Sequence, residues 1–219
     1  MNKLTLLYTL KNDAKKESYI YFDKNIRHLN KKINGEIDET DNNLSNNDID
    51  AFRHAYVSGR YVQVFNERIA NIVGLLQEFW GNGYGSNSTN PNAAKNMDLW
   101  NNAVGRKYGK KAKTKEILAK KLNEALKNGE LIIDLNDMRK YEGKTSYTID
   151  HKKPVIVLEE KTTGRNEKFI DLITGDIFDR NLFIKKIQSG RYQGYRLANI
   201  NGIPTPISNP DSRIDNNLG

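Results

Sequence analysis

The 219-residue chain contains no cysteine, which excludes disulfide cross-links, thiol nucleophiles and thiolate metal sites. It also lacks long hydrophobic runs. Stretches such as Ile72-Val73 and Val155-Ile156-Val157-Leu158 fall far short of the roughly 18 apolar residues that a membrane-spanning helix needs, so no transmembrane segment is expected. Residues 3–10 carry a lysine near the start but run into Lys11, Asn12 and Asp13 without a small-residue cleavage pattern, so no signal peptide is expected either. No internal repeat is visible. Gly81, Gly83 and Gly85 are not preceded by a strand pattern and match no phosphate-binding fingerprint, and Ser58-Gly59 lies inside a helical pattern without a nucleophile elbow.

What the chain has instead is charge. Thirty-five Lys+Arg against 27 Asp+Glu give a formal net charge of +8. The excess is local. From Arg106 to Lys127 there are nine basic residues and only Glu116 and Glu124 as acids within the stretch. Such a block attracts an anionic partner at long range, whether nucleic acid, lipid or acidic protein, or else it is a solvated helix face that keeps the protein in solution. Residues 35–50 are acidic and asparagine-rich and read as a loop or cap.

Residues 3–10 have the look of an opening strand, and residues 19–29 of a strand or short helix. Asn47 or Asp48 is placed to cap a helix over about 49–65 whose apolar residues occur nearly all round, which implies burial. A second helix follows Asn66 and runs through Phe79, a third spans about 93–107 from a cap at Asn92, and a basic fourth covers about 114–127 and stops at Asn128-Gly129. Beyond residue 130, Leu131–Ile133, Tyr147–Ile149, Val155–Leu158 and Phe169–Ile173 read as strands, Asn181–Gln188 as a short helix, and the tail from Asn201 as irregular. The expected fold is α+β: a helical core of three to four helices, then a smaller mixed or β-rich C-terminal part. The expected divisions are an N-terminal segment 1–48 packed on the core, a helical domain 49–130, and a region 131–219.

Polar residues stand out on the three central helices. Asp50 and His54 are four residues apart and share a face with Val57 and Tyr61, while Arg53 lies about 100° from His54. Glu78 falls near the end of the second helix. Asp98, Asn101 and Asn102 form a face of the third, with Arg106 one turn beyond Asn102. Buried polar groups need partners, so a shared cluster is expected rather than isolated sites. His54 is the one histidine on a buried element; His28 and His151 sit among lysines and turn residues. Histidine beside carboxylates suits general acid-base work near neutral pH. In the catalytic reading His54, Glu78, Asp98 and Arg53 carry the chemistry, while Asp50, Asn101, Asn102 and Arg106 bind substrate. In a metal reading His54, Glu78 and Asp98 supply one ligand each to Zn²⁺, Mn²⁺ or Mg²⁺. In a structural reading, Asp50 favours the helix start, Arg53 and Glu78 form an internal ion pair, and the asparagines satisfy loop backbone.

The strings Asp50-Ala51-Phe52-Arg53-His54-Ala55, Glu78-Phe79-Trp80 and Met97 to Arg106 (MDLWNNAVGR) resemble an uncharacterised helical domain of bacterial and phage-associated proteins and polymorphic secreted toxins. Its pattern runs DAxRHA, a short His/Asn-Glu element, then MDLxNNxxGR; here Gln77 precedes Glu78 where some members have histidine, which weakens a two-histidine metal site. The likeness covers about 50–106, and residues 190–195 and 208–211 are similar to its companions. The resemblance implies a toxin or effector, made in the bacterial cytoplasm and exported by a specialised secretion system, with a cognate immunity or delivery protein as partner. The leading expectation is a hydrolase acting on a phosphate-containing or cell-envelope substrate, that is, a lipid, a cell-wall precursor or a nucleic acid. The alternative is a non-catalytic phage or secretion-system module whose polar cluster is structural.

Overall fold

In the computed structural model, residues 4–76, 90–213 and 217–218 are described. The first helix, α1, runs over Leu4–Asn25 and replaces the opening strand expected at 3–10 and the separate element expected at 19–29. Leu10, Ala14, Ser18 and Phe22 are buried at every fourth position, the spacing of one helical stripe. Exposed Leu6, Tyr8 and Ile20 disguise that stripe as a strand-like alternation. A connection with a 3₁₀ turn at Asn42–Leu44 follows, as expected for the acidic, asparagine-rich stretch.

Helix α2 (Asp48–Val64) starts where the Asn47 side chain accepts a hydrogen bond from the Asp50 amide, and most of its residues are buried. Helix α3 (Glu67–Leu75) is capped by Asn66. The expected continuation to Phe79, with Glu78, lies outside the described residues, as does the glycine-rich stretch 81–89. Helix α4 (Pro91–Gly109) is capped by Asn90 rather than Asn92, because Pro91 at the first helical position has no amide proton to satisfy. Helix α5 (Lys115–Lys127) is capped by Thr114 and ends at Asn128, with Gly129 in the left-handed region.

These helices share one core with Tyr19, Phe22, Phe52, Met97, Leu118 and Leu122 among its members, and Leu131 and Ile132 join it. Helices α2 and α4 run in the same sense and touch backbone to backbone. A Cβ on Gly105 would lie 2.0 Å from the carbonyl oxygen of Ala55, and one on Gly109 would lie 2.6 Å from that of Gly59. Only glycine permits this approach, which brings His54 opposite Asp98.

Leu131–Ile133 is not a strand. Side chains hold this segment: the Asn101 amide donates to the Ile132 carbonyl (2.8 Å) and accepts from its N–H (3.0 Å). Trp100 Nε1 donates to Glu130 O, and Arg139 donates to the carbonyls of Gly129 and Leu131. With its backbone groups satisfied this way, the segment needs no partner strand. Tyr147–Ile149 is likewise irregular.

Residues Thr9–Tyr147 make one compact unit, and Met1–Tyr8 with Thr148–Gly219 the other. In the second, β1 (Val155–Glu160), β2 (Asn166–Asp171) and β3 (Ile177–Asp179) form an antiparallel sheet in chain order. Helix α6 (Arg180–Gln188) is capped by Asp179. The tail expected to be irregular is a hairpin of β4 (Tyr195–Ile200) and β5 (Ile203–Ser208). Asn201 and Gly202, both at positive φ, form its two-residue turn. Val155, Phe169, Phe178, Phe183, Tyr192 and Tyr195 fill this unit's own core. The architecture is α+β, with helices first and two small sheets after.

Candidate active site between helices α2 and α4

The polar cluster assembles from two adjacent helix faces. On α2, Asp50 and His54 are one turn apart, and α4 brings Asp98 against them. All three are buried. His54 Nε2 lies 3.2 Å from Asp98 Oδ1 and 3.4 Å from Asp50 Oδ1. Arg53 joins from the next position: it donates to Asp50 Oδ1, its Nη1 donates to the Tyr19 hydroxyl at 3.0 Å, and its Nη2 is 3.1 Å from His54 Nε2. The second oxygen of Asp50 accepts the Asn46 N–H at 2.6 Å, from a residue held at φ 56°.

One atom of this network has two choices. Arg53 offers only donors, whereas the facing oxygens of Asp50 and Asp98 are acceptors when ionised. His54 Nε2 with a proton donates to a carboxylate; without one it accepts from Arg53. Both states find a partner without movement of the backbone.

The carboxylates differ in environment. Burial disfavours ionisation of Asp50, but the Arg53 charge, His54 and the Asn46 N–H outweigh it and hold this carboxyl well below the usual range. Asp98 has less support. Burial, reinforced by the Asp50 charge and only partly offset by His54 and Arg53, pushes it up to about 6. Arg53 is itself penalised by burial, yet Asp50, Tyr19 and Asp98 raise its pKa overall. Counting formal charges, two carboxylates face a single guanidinium. The cluster is one positive charge short, which a proton or a cation would supply.

The same geometry is able to hold a metal ion. One donor atom from each of Asp50, His54 and Asp98 lies within 4.8 Å of the others, and two carboxylate oxygens with an imidazole nitrogen suit a divalent cation. The Arg53 guanidinium now occupies part of that space through its contacts with Asp50 and His54. A bound cation therefore requires Arg53 to turn away. Asp50, expected from the sequence to bind substrate, is the third donor of this set; Glu78 lies outside the described residues.

The other candidates go elsewhere. Asn101 is fully buried and turned to the Ile132 backbone. Arg106 is buried, and its Nη2 reaches the Tyr141 hydroxyl at 3.4 Å. Asn102 borders a small pocket with Lys11, Ser58 and Tyr61. Sequence reasoning missed Tyr19 and the Asn46 amide. The four-residue stripe of α1 is the signal that places Tyr19 on a packed helix, whereas a backbone amide at a loop corner leaves no trace in residue types. In the second unit a cleft of about 760 Å³ is lined by His151, Lys152, Lys153, Asp171, Arg191 and Tyr192, among others. Its buried polar groups are already paired, Lys153 with Asp211 and the Tyr192 hydroxyl with Asp171.

Arg106 to Lys127 is also better matched than its own sequence suggests. Lys107 pairs with Glu130, Lys110 with Glu67 and Lys115 with Glu17, acids contributed from outside the stretch.

An α-helical domain with a buried Asp/His/Asp centre able to take a metal ion is thus what the fold and site define. Residues 8–130, more than half of the chain, match the family described as Domain of unknown function (DUF6973), and the chain belongs to that family. No curated protein and no solved structure matches it. Asp50, Arg53, His54 and Asp98 all fall within the matched residues.

Proposed function

We propose that the chain is a toxin- or effector-type hydrolase whose reaction centre is the cluster between α2 and α4, acting on a phosphate-containing or cell-envelope substrate. The observation that carries this reading is His54 Nε2, which has a donor in Arg53 and acceptors in Asp98 and Asp50 within 3.4 Å. A general base must take up a proton and give it back, and here neither state is orphaned. Asp98 orients the imidazole and stabilises it when protonated. Asp50 holds Arg53, whose side chain is more exposed than those of its neighbours and offers forked donors to anionic oxygens of a substrate. Delivery through a secretion system and neutralisation by an immunity protein belong to the same proposal and rest on the family resemblance.

A second reading is favoured by the three converging donors. Asp50, His54 and Asp98 would hold Zn²⁺, Mn²⁺ or Mg²⁺, which when bound supplies Lewis-acid activation of a substrate oxygen or of water. Arg53 is then released toward the substrate.

The test is to express the protein in bacteria and to assay it purified on a phosphodiester, a phosphomonoester, RNA, DNA, anionic lipid and cell-wall material, with and without chelator. His54→Ala and Asp98→Asn are expected to lower the rate by roughly 10²–10⁴-fold while cooperative melting is kept. Loss of activity with chelator, restored by Mn²⁺ or Zn²⁺, selects the metal reading. A folded His54→Ala variant with unchanged activity would falsify both and leave the cluster a structural network.

A further inference from the structure

The seam between α2 and α4 continues beyond the reaction centre. One helical turn on, Ser58 follows His54 and Asn102 follows Asp98, and both line a small pocket with Lys11 of α1. Val57, Tyr61, Ala70, Val73 and Gly74 make the rest of the wall, and no carboxylate lines it among the described residues. Two groups there lack what they need. Ser58 Oγ is buried and makes no hydrogen bond, although a buried hydroxyl nearly always has one. Lys11 is partly buried, and among the described residues the charges that act on it are those of Arg53 and Lys15; burial first, then these cations, lower its pKa. A cation beside other cations, with an unsatisfied hydroxyl on the same wall, is a place for negative oxygen.

The pocket's volume of about 10 Å³ fixes the scale: it admits one oxygen atom or one water, not a whole tetrahedral anion. A ligand must insert a single oxygen and keep its remainder outside. A phosphoryl group does this with oxygens to spare for Arg53, and near neutral pH it carries more than one negative charge to set against two cations. A carboxylate that inserts one oxygen has only one left.

We propose that Lys11 and Ser58 form a subsite for one terminal oxygen of a phosphoryl group, bordered by Asn102. This names phosphate esters as the substrate class of the neighbouring centre, and that part rests on the function proposed above. Binding itself is independent of it.

The probe is phenyl phosphate, titrated into the full chain at low ionic strength and followed by calorimetry and ³¹P resonance. Lys11→Met is expected to weaken binding by about tenfold or more and Ser58→Ala by several-fold, the loss of hydrogen bonds to a charged group. Lys11→Arg should retain binding, and the exposed-site control Lys113→Met should bind like the native protein. If Lys11→Met does not fold, the Lys11→Arg and Ser58→Ala pair carries the test. Absence of saturable binding by the native protein means that the pocket holds water only, and overturns the proposal. Binding lost in His54→Ala but kept in Lys11→Met overturns it too, by placing the phosphoryl group on the cluster. Binding that follows the expected pattern, alongside a folded His54→Ala variant with full hydrolytic activity, leaves the subsite standing and defeats the proposed function instead.

Discussion

Two carboxylates on facing helices respond to opposite forces, and the protein's pH dependence should carry both signs. Asp98 titrates at about 6 in the folded chain, against 3.8 for an ordinary aspartate. Between those values the folded state binds a proton that the unfolded chain has released, so stability falls as pH rises through this window and levels off above it. Asp98→Asn removes the penalty. Relative to the native protein, the variant should gain on the order of 1–3 kcal/mol between about pH 4 and pH 7, read from urea midpoints. Asp50 is the reverse case: its depressed value contributes stability above the unfolded pKa that is lost as pH falls through the folded one. Asp50→Asn should therefore cost most at neutral pH and converge with the native protein in strong acid. Superimposable pH profiles for all three proteins would contradict opposite shifts at the two carboxylates.

At the scale of elements, the contact of α2 with α4 sets the distance from His54 to Asp98, and glycine sets that contact. Gly105→Ala puts a methyl carbon into the Ala55 carbonyl. It should cost about 3 kcal/mol or more and weaken activity together with stability, because the helices must separate. A Gly129→Ala control, at a left-handed position with nothing within 4 Å, strains only the local backbone and should leave the centre's chemistry intact. Helices α2 and α3 were legible because caps and periodicity agree, Asn47 and Asn66 each standing directly before an apolar pattern, whereas α4 and α5 were found by periodicity with their caps at Asn90 and Thr114 missed. Where one signal contradicted another, the sequence misled. Helix α1 was hidden by exposed apolar side chains, and the β4–β5 hairpin by Pro204 and Pro206, although Asn201-Gly202 is a strong turn signal. Proline is tolerated there because a two-stranded hairpin leaves every strand an edge. At the site, Asp50, His54 and Asp98 were legible as polar residues on packed helix faces. Arg53's place at their centre was not, since a long side chain can cross the 100° that separates it from His54.

For the whole molecule, the net charge of +8 survives its local ion pairs. Lys111, Lys113 and Lys120 are exposed on the α4–α5 side, whereas Lys107, Lys110 and Lys115 are paired. Reversing Lys111, Lys113 and Lys120 to glutamate should weaken association with nucleic acid or anionic vesicles strongly at low salt and little at high salt, with helix content unchanged. Filter binding and vesicle sedimentation decide between the two surfaces, and failure of the native protein to bind either leaves the patch a solubility feature. The way α4 holds residues 129–141 bears on how the chain can be divided. The family match stops at residue 130, yet Leu131 and Ile132 belong to the helical core and Asn101, fully buried, has its amide occupied by Ile132. What is inherited as a domain is therefore shorter than what can stand as one. A fragment cut at the family boundary would expose a cleft where two core side chains had been and leave a buried amide without company, whereas a cut after residue 147 severs none of these ties. Limited proteolysis of the intact chain should accordingly spare the bond after Glu130.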